Sequence, residues 1–219
     1  MMPWSAWKFA PALTRPRSTP PRSKTWRKGD FGVLTDRDIH SAHEQGDLRV
    51  TPFAPEMVRP AALSLRLGHE AHALVTDGPV DTADASTFPR LKPKEFDDRG
   101  RLAIEPGEVV LAATFERIGL STRLVGVLDG TSDYARLGMS VVLSHQVSPG
   151  FGGAGGSIIT LEIVSRLPQV VYLYPETRIC NLMLFKCRRS SLRSYGEMPH
   201  NYSTDIAVSS SRLADHHAG

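Results

Sequence analysis

The sequence predicts a mainly β fold, a distorted barrel or jelly-roll with few short helices, and three observations carry that prediction. From Ala61 onward, short β-branched and leucine-rich runs follow one another, separated by Gly, Pro, Asp and Ser at the spacing of an all-β barrel or sandwich. One early segment, and no other, combines helical spacing with a cap. A chain of 219 residues at 41% hydrophobic content can bury one sizeable core and is too short for two ordinary domains plus a long tail.

Residues 1–30 stand apart from that domain. They carry Lys8, Arg15, Arg17, Arg22, Lys24, Arg27 and Lys28 against a single acid, Asp30. Removing these seven cations and one acid from totals of 26 and 23 leaves 19 basic and 22 acidic residues, so the net +3 comes from the tail and the body is slightly acidic. The tail also holds five prolines and all three tryptophans, Trp4, Trp7 and Trp26, without a hydrophobic period. That composition reads as a disordered or partner-dependent segment. It lacks the apolar stretch of a secretory signal; it is loosely like an organelle transit peptide, and equally like the product of a start codon placed too far upstream. The expected division is therefore a basic, Pro-rich tail over 1–30 and a domain over 31–219. No apolar run of about 18 residues occurs, so a soluble protein without a membrane span is expected. Cys180 and Cys187 are too few for a disulfide framework or a zinc quartet, which points to a reducing cytoplasm.

The helix comes first in the body. Thr35 can cap it, Asp38 lies three residues on, Ile39 and Ala42 share a face, and Gly46 closes it. The strands follow as "ALSLRLG", "EVVLAATFERIGL", "RLVGVL", "MSVVLSHQV", "SIITLEIV", "VVYLY" and "RICNLMLF". Residues 76–100, "TDGPVDTADASTFPRLKPKEFDDRG", lack a period and read as a long surface insertion.

Two motifs that suggest other chemistries do not survive their context. Gly150-Phe151-Gly152-Gly153-Ala154-Gly155 fits the dinucleotide fingerprint, but that fingerprint opens a helix, and here the β-branched run "SIITLEIV" follows. "HEAH" at 69–72 is one residue short of a zincin motif, and two such histidines on a strand or loop do not make a metal face. The zinc-deaminase pattern, His-x-Glu with Pro-Cys-x-x-Cys, is missing, so any deamination would run without zinc.

One family is similar over residues 31–213. "VLTDRDIHSAHEQGDLRV", "LSLRLG", "IEPGEVVLAATFERIGLSTRLVGVLDGTSDYARLGM", "SPGF" with "ITLE", and "NYSTDIAVSSSRL" resemble, in order and approximate spacing, the dCTP deaminases of the dUTPase superfamily. The resemblance implies a dUTPase-like barrel, a homotrimer with active sites between subunits, and a C-terminal lid, here 195–219. It also implies zinc-free deamination: water adds to C4 of cytosine, and a strand carboxylate carries protons from the water to the ring and then to the departing ammonia. Such a shuttle needs a carboxyl group whose pKa is raised, which partial desolvation supplies.

Glu162 in "ITLE" matches that carboxylate; it shares a strand face with Thr160, opposite Ile159, Leu161 and Ile163, where an outward-facing structural glutamate would also sit. Arg136 matches the arginine that orients water and glutamate, with an ordinary surface ion pair as its other reading, and Ser132 matches a serine of the nucleotide pocket. Ser144 and His145 lie on the stretch that matches the substrate-side strand, His145 either in the base pocket or as a satisfied core histidine.

The departures from the family pattern matter as much. Gly130-Thr131-Ser132-Asp133 stands where Gly-Arg-Ser-Ser is usual, so Thr131 replaces a phosphate-binding arginine and Asp133 places an acid at the start of a short helix, where it would repel phosphate. Asn201-Tyr202 followed by Asp205 replaces Lys-Tyr followed by Gln. Asn181 replaces a glutamine, Ser148 the aspartate of Asp-Pro-Gly, and Ser64 the acid before Arg-Leu-Gly. With the proton shuttle kept and two cations lost, the expectation is a hydrolase deaminating a cytosine (deoxy)nucleotide or related pyrimidine, with substrates carrying fewer phosphates than dCTP included. No cofactor is expected for the chemistry, and magnesium only alongside a polyphosphate. Two other readings stay open: a dUTPase-like diphosphatase, disfavoured because its water-activating aspartate matches Ser148, and a catalytically degenerate nucleotide-binding trimer.

Overall fold

The computed structural model describes residues 31–199 and 201–213, so the basic tail of 1–30 lies outside the described residues. Helix α1 (Asp36–Glu44) forms where its cap predicts: Asp38 Oδ2 accepts from the Thr35 backbone N–H at 3.0 Å and from the Thr35 hydroxyl at 2.8 Å. Ile39 and Ala42 are buried under it, and Gly46, at φ 76°, turns the chain out of the helix.

The strands are β1 (Gly32–Val33), β2 (Leu48–Thr51), β3 (Val58–Arg59), β4 (Ala62–Val75), β5 (Arg90–Pro93), β6 (Leu102–Ile104) and β7 (Val109–Thr114). After them come β8 (Arg117–Leu120), β9 (Leu124–Gly130), helix α2 (Ser132–Arg136), β10 (Met139–Ser140), β11 (Gln146–Val147), β12 (Thr160–Ser165), β13 (Val171–Leu173) and β14 (Arg178–Lys186). The main sheet is antiparallel and runs β10-β12-β7-β4-β14-β9-β11, with β1 on β14 and β3 and β5 on β4; β13-β6 and β2-β8 form two small companions.

The 14-residue β4 curls this sheet into a half-barrel. Its first half pairs with β14 (Leu63↔Leu182, Ser64↔Asn181), its second with β7 (Ala71↔Ala112, His72↔Leu111), and the register shifts between Leu67 and Ala71. Gly68 sits in that shift because a Cβ there would come within 2.8 Å of the Ala113 carbonyl oxygen. Inside the curl, Leu63, Leu65, Leu67, Leu128, Leu161 and Leu182 are sealed from solvent, each contributing about 1.5–3 kcal/mol of burial.

Two runs that look continuous in sequence are broken. "EVVLAATFERIGL" divides into β7 and β8 because Glu116 turns inward, wholly buried, and takes both the Arg66 backbone N–H (2.9 Å) and its Nε (2.6 Å). "MSVVLSHQV" divides into β10 and β11 around a loop at 141–145. The expected insertion at 76–100 contains β5, which extends the sheet along the far half of β4. Burial, with Glu116 and Asp129 nearby, pushes the Cys180 thiol far up and makes it inert; burial raises Cys187 as well. Among the described residues no helix is long and apolar enough to cross a membrane.

Candidate active site

Strand β12 builds the site by simple alternation. Leu161, Ile163 and Ser165 point into the core, which leaves Thr160, Glu162 and Val164 on the opposite, half-buried face. Glu162 lies across from Leu111 of β7. Its Oε2 accepts from the backbone N–H groups of Leu143 (2.9 Å) and Ser144 (3.3 Å), which ties the loop at 141–145 to β12. Charge-assisted bonds of this kind fix the carboxylate's position without neutralising it, as a cation would.

Glu162 faces a cavity of about 420 Å³, the size of a small-molecule site. Leu111, Phe151, Ile158 and Ile159 supply its apolar floor, Ser144, Gln146 and Ser148 a polar rim, and Tyr195, Tyr202, Asp205 and Ser209 to Ser211 a wall from the C-terminal segment. Among the described lining residues there is no Lys or Arg; the charged groups are Glu162 and Asp205. Asp205 is already bound: Oδ1 accepts from Arg212 Nη2 at 2.8 Å and Oδ2 from the Ser209 hydroxyl at 2.5 Å. Arg212 in turn lies over the Tyr202 ring at 4.5 Å, and its backbone N–H donates to the Tyr202 hydroxyl. Ser148 accepts from Gln146 Nε2 at 3.3 Å.

The structure thus gathers five of the expected residues, Glu162, Ser144, Ser148, Tyr202 and Asp205, around one cavity. It places the others elsewhere. Helix α2 carries Ser132, Asp133 and Arg136, all exposed, after a buried Thr131, and none of the four lines the cavity of its own chain. Arg136 has no ion-pair partner among the described residues, whereas Asp133 faces Arg178 Nη2 at 3.9 Å in a well-solvated pair. His145 is exposed, neither in the cavity nor in the core, and its Nδ1 is 2.7 Å from the Leu128 carbonyl oxygen, which fixes the proton on Nδ1. Asn181 Oδ1 accepts from the Ser64 hydroxyl at 2.9 Å, so two of the departures from the family pattern are partners across β4 and β14.

The glycine-rich stretch at 150–155 is a tight turn leading towards β12. Gly152, at φ 74°, lies so close to β8 that a Cβ would strike the Ile118 carbonyl oxygen at 1.9 Å. Sequence reasoning missed Arg212, which neutralises Asp205, and Glu70 of the "HEAH" stretch, whose carboxylate reaches the C-terminal segment. Neither has a spacing signal, because both partners are set by the tertiary fold.

Comparison with known proteins gives a consistent result. Residues 33–187 match the family model described as dCTP deaminase-like. The chain is 34% identical over 193 residues to "dCTP deaminase, dUMP-forming" of Methanopyrus kandleri, covering 83% of this chain and 95% of that protein. It is 34% identical over 175 residues to the protein of the same name from Thermobifida fusca, covering 75% and 83%. Among solved structures, the 2'-deoxycytidine 5'-triphosphate deaminase of Agrobacterium tumefaciens superposes with a TM-score of 0.55 at 18% identity, over 74% of this chain and 49% of that one, which shows a common fold.

Proposed function

The chain belongs to the dCTP deaminase-like family, and from that premise we propose that it catalyses zinc-independent hydrolytic deamination of a cytosine nucleotide, with Glu162 as the proton carrier. The observation that carries this reading is Glu162 itself: a half-buried carboxylate, oriented by two backbone N–H groups through one oxygen, facing a cavity of small-molecule size. Its Oε1 has no hydrogen-bond partner among the described residues and is the oxygen available to substrate and water.

The reaction balances as cytosine ring plus water giving uracil ring plus ammonia. Glu162 accepts a proton as water oxygen bonds to C4, delivers it to ring N3, and then moves the second water proton to the amino group, which leaves as ammonia when the C4–N bond breaks. Arg136 and Ser132 complete this site from a neighbouring subunit: α2 is exposed, and among the described residues Arg136 has no ion-pair partner and no cation lines the cavity. A homotrimer with shared sites is therefore part of the proposal.

The relatives' name, dUMP-forming, implies loss of two phosphates as well as the amino group. For this chain we propose deamination only, since a serine hydroxyl at position 148 does not take up a proton at neutral pH as a carboxylate does. The cavity does not fit a resident metal ion either: Asp205 is bound to Arg212 and Ser209, and Glu162 to two amides. Magnesium enters only as the companion of a polyphosphate, held largely by its oxygens. With no cation among the described residues that line the cavity and Asp133 on α2, substrates with fewer phosphates than dCTP are included. The test is product analysis after incubation with cytidine, deoxycytidine, CMP, dCMP, CTP, dCTP and the uracil triphosphates. Ammonia release supports the proposal; pyrophosphate without ammonia supports a diphosphatase; neither leaves a nucleotide-binding trimer.

A further inference from the structure

The "HEAH" stretch has a use unrelated to metal. On β4, Glu70 and His72 point to the same face, and His72 Nε2 lies 3.0 Å from Glu70 Oε1. The same oxygen accepts the backbone N–H of Val208 at 2.9 Å, from a residue 138 positions further along the chain. His72 Nδ1 is buried without a partner among the described residues, a position suited to a lone pair rather than an N–H. The ring therefore carries its proton on Nε2 and donates it to Glu70. Val208 is 8% exposed and packs with Leu111, Ala113 and Ile158, of which Leu111 and Ile158 are cavity floor. Asp205 and Ser209 to Ser211, on either side of Val208, are cavity wall.

We propose that Glu70, steadied by His72, is a positioning residue for substrate binding: it clasps the C-terminal segment at Val208 and so holds the wall of the cavity against Glu162. The clasp rests on the deaminase reading for its consequence and on geometry alone for its existence. The segment has further anchors at its two ends: the Asp205 carbonyl accepts from the Ile158 N–H at 3.2 Å and from the Ser157 hydroxyl, and the Arg212 N–H donates to the Tyr202 hydroxyl at 2.9 Å. Without the clasp, the stretch from Val208 to Ser211 is held, among the described residues, by its ends at Asp205 and Arg212, by the Ser209 hydroxyl on Asp205 and by the apolar seat of Val208.

Hydrogen exchange on the full chain tests this without reference to any reaction. Glu70→Leu is expected to speed exchange in the segment 205–213 by about tenfold, the loss of one bond to a charged acceptor, while β9 and β14 stay protected. Glu70→Gln is expected to stay within about threefold of the parent, because both contacts use Oε1 and an amide oxygen still accepts them, though more weakly without the charge. If Glu70→Leu exposes the whole sheet, Val208→Pro decides, since it removes the N–H from the other side and leaves β4 intact. Unchanged exchange in 205–213 for the deciding variant overturns the clasp. With a substrate identified by product analysis, Glu70→Leu is expected to raise KM about tenfold with kcat within about threefold, and Glu70→Gln to restore KM. A fall in kcat with KM unchanged overturns the positioning role, whereas a protein that deaminates nothing but loosens in 205–213 keeps the clasp and sinks the deaminase reading.

Discussion

Strand β7 lies between two carboxylates with opposite fates. Beyond its C-terminal end, Glu116 is wholly buried, and Arg66 covers both of its oxygens through the backbone N–H and Nε. Alongside it, opposite Leu111, Glu162 is half-buried, and its hydrogen bonds among the described residues come from two backbone N–H groups, both on one oxygen. The Thr114 hydroxyl joins the two regions, donating to the Glu116 carbonyl and accepting from the Ile159 N–H just before β12. A carboxylate with a guanidinium partner and no solvent is structure: its proton affinity is of no use because nothing can reach it. A carboxylate held by neutral dipoles beside a cavity keeps a free oxygen for chemistry.

If that contrast is right, neutralising the two groups has different effects. Glu162→Gln is expected to lower turnover by about 10²–10⁴, the range for a general acid–base, with the urea midpoint unchanged. Turnover within about tenfold of the parent would remove Glu162 from the mechanism. Glu116→Ala is expected to cost about 3 kcal/mol of stability, at the low end for a broken buried pair because Arg66 is partly solvated. Replacing both partners by apolar residues, as in Arg66→Met with Glu116→Leu, should recover part of that loss, the backbone N–H of residue 66 still lacking its acceptor. A double variant as unstable as the single one would mean that the pair, and not the orphaned charge, holds the turn between β7 and β8.

How much of this contrast the sequence contained differs between the two regions. Glu162 was legible: period-two alternation set it against Leu161 and Ile163, and the "ITLE" resemblance gave it a role. Glu116 was not, because "TFERI" continues a strand-like run and nothing local shows that its partner is Arg66, 50 residues earlier. The helix cap at Thr35 and most strands were readable because they depend on neighbours in sequence. The C-terminal wall of the cavity was readable only as a family segment, since "NYSTDIAVSSSRL" has no period and its anchors, Glu70 and Ile158, come from distant parts of the chain. Asp205 is a clearer case still: in sequence it is an acid facing a nucleotide, and in the structure Arg212 has already neutralised it.

The shared-site proposal gives the next test. Arg136→Ala is expected to reduce turnover by about 10–10²-fold with no loss of stability, because the side chain is exposed and has no ion-pair partner among the described residues. Mixing inactive Glu162→Gln with inactive Arg136→Ala subunits should restore part of the activity when subunits exchange, since some sites then receive both intact residues. Recovery would place α2 opposite the neighbour's Glu162. An active monomer in sedimentation would refute a shared site.

The smallest effect concerns Asp133, a third carboxylate, more exposed than either of the others. Taken alone, an acid at the start of α2 repels a bound phosphate; but Arg178 stands 3.9 Å away and both side chains are largely solvated, so the repulsion is already screened. Asp133→Ser is therefore expected to improve dCTP binding by less than about 1 kcal/mol, and cytidine binding not at all. Thr131→Arg, which restores a cation in place of a buried threonine, is the stronger lever, at about 1.5–3 kcal/mol if the guanidinium reaches phosphate. Titration calorimetry of both variants against cytidine, dCMP and dCTP separates the contributions. A gain that grows with phosphate number identifies α2 as the phosphate end of the site. An equal gain across the series would mean that α2 senses the nucleoside, and the loss of cations here would then say nothing about how many phosphates the substrate carries.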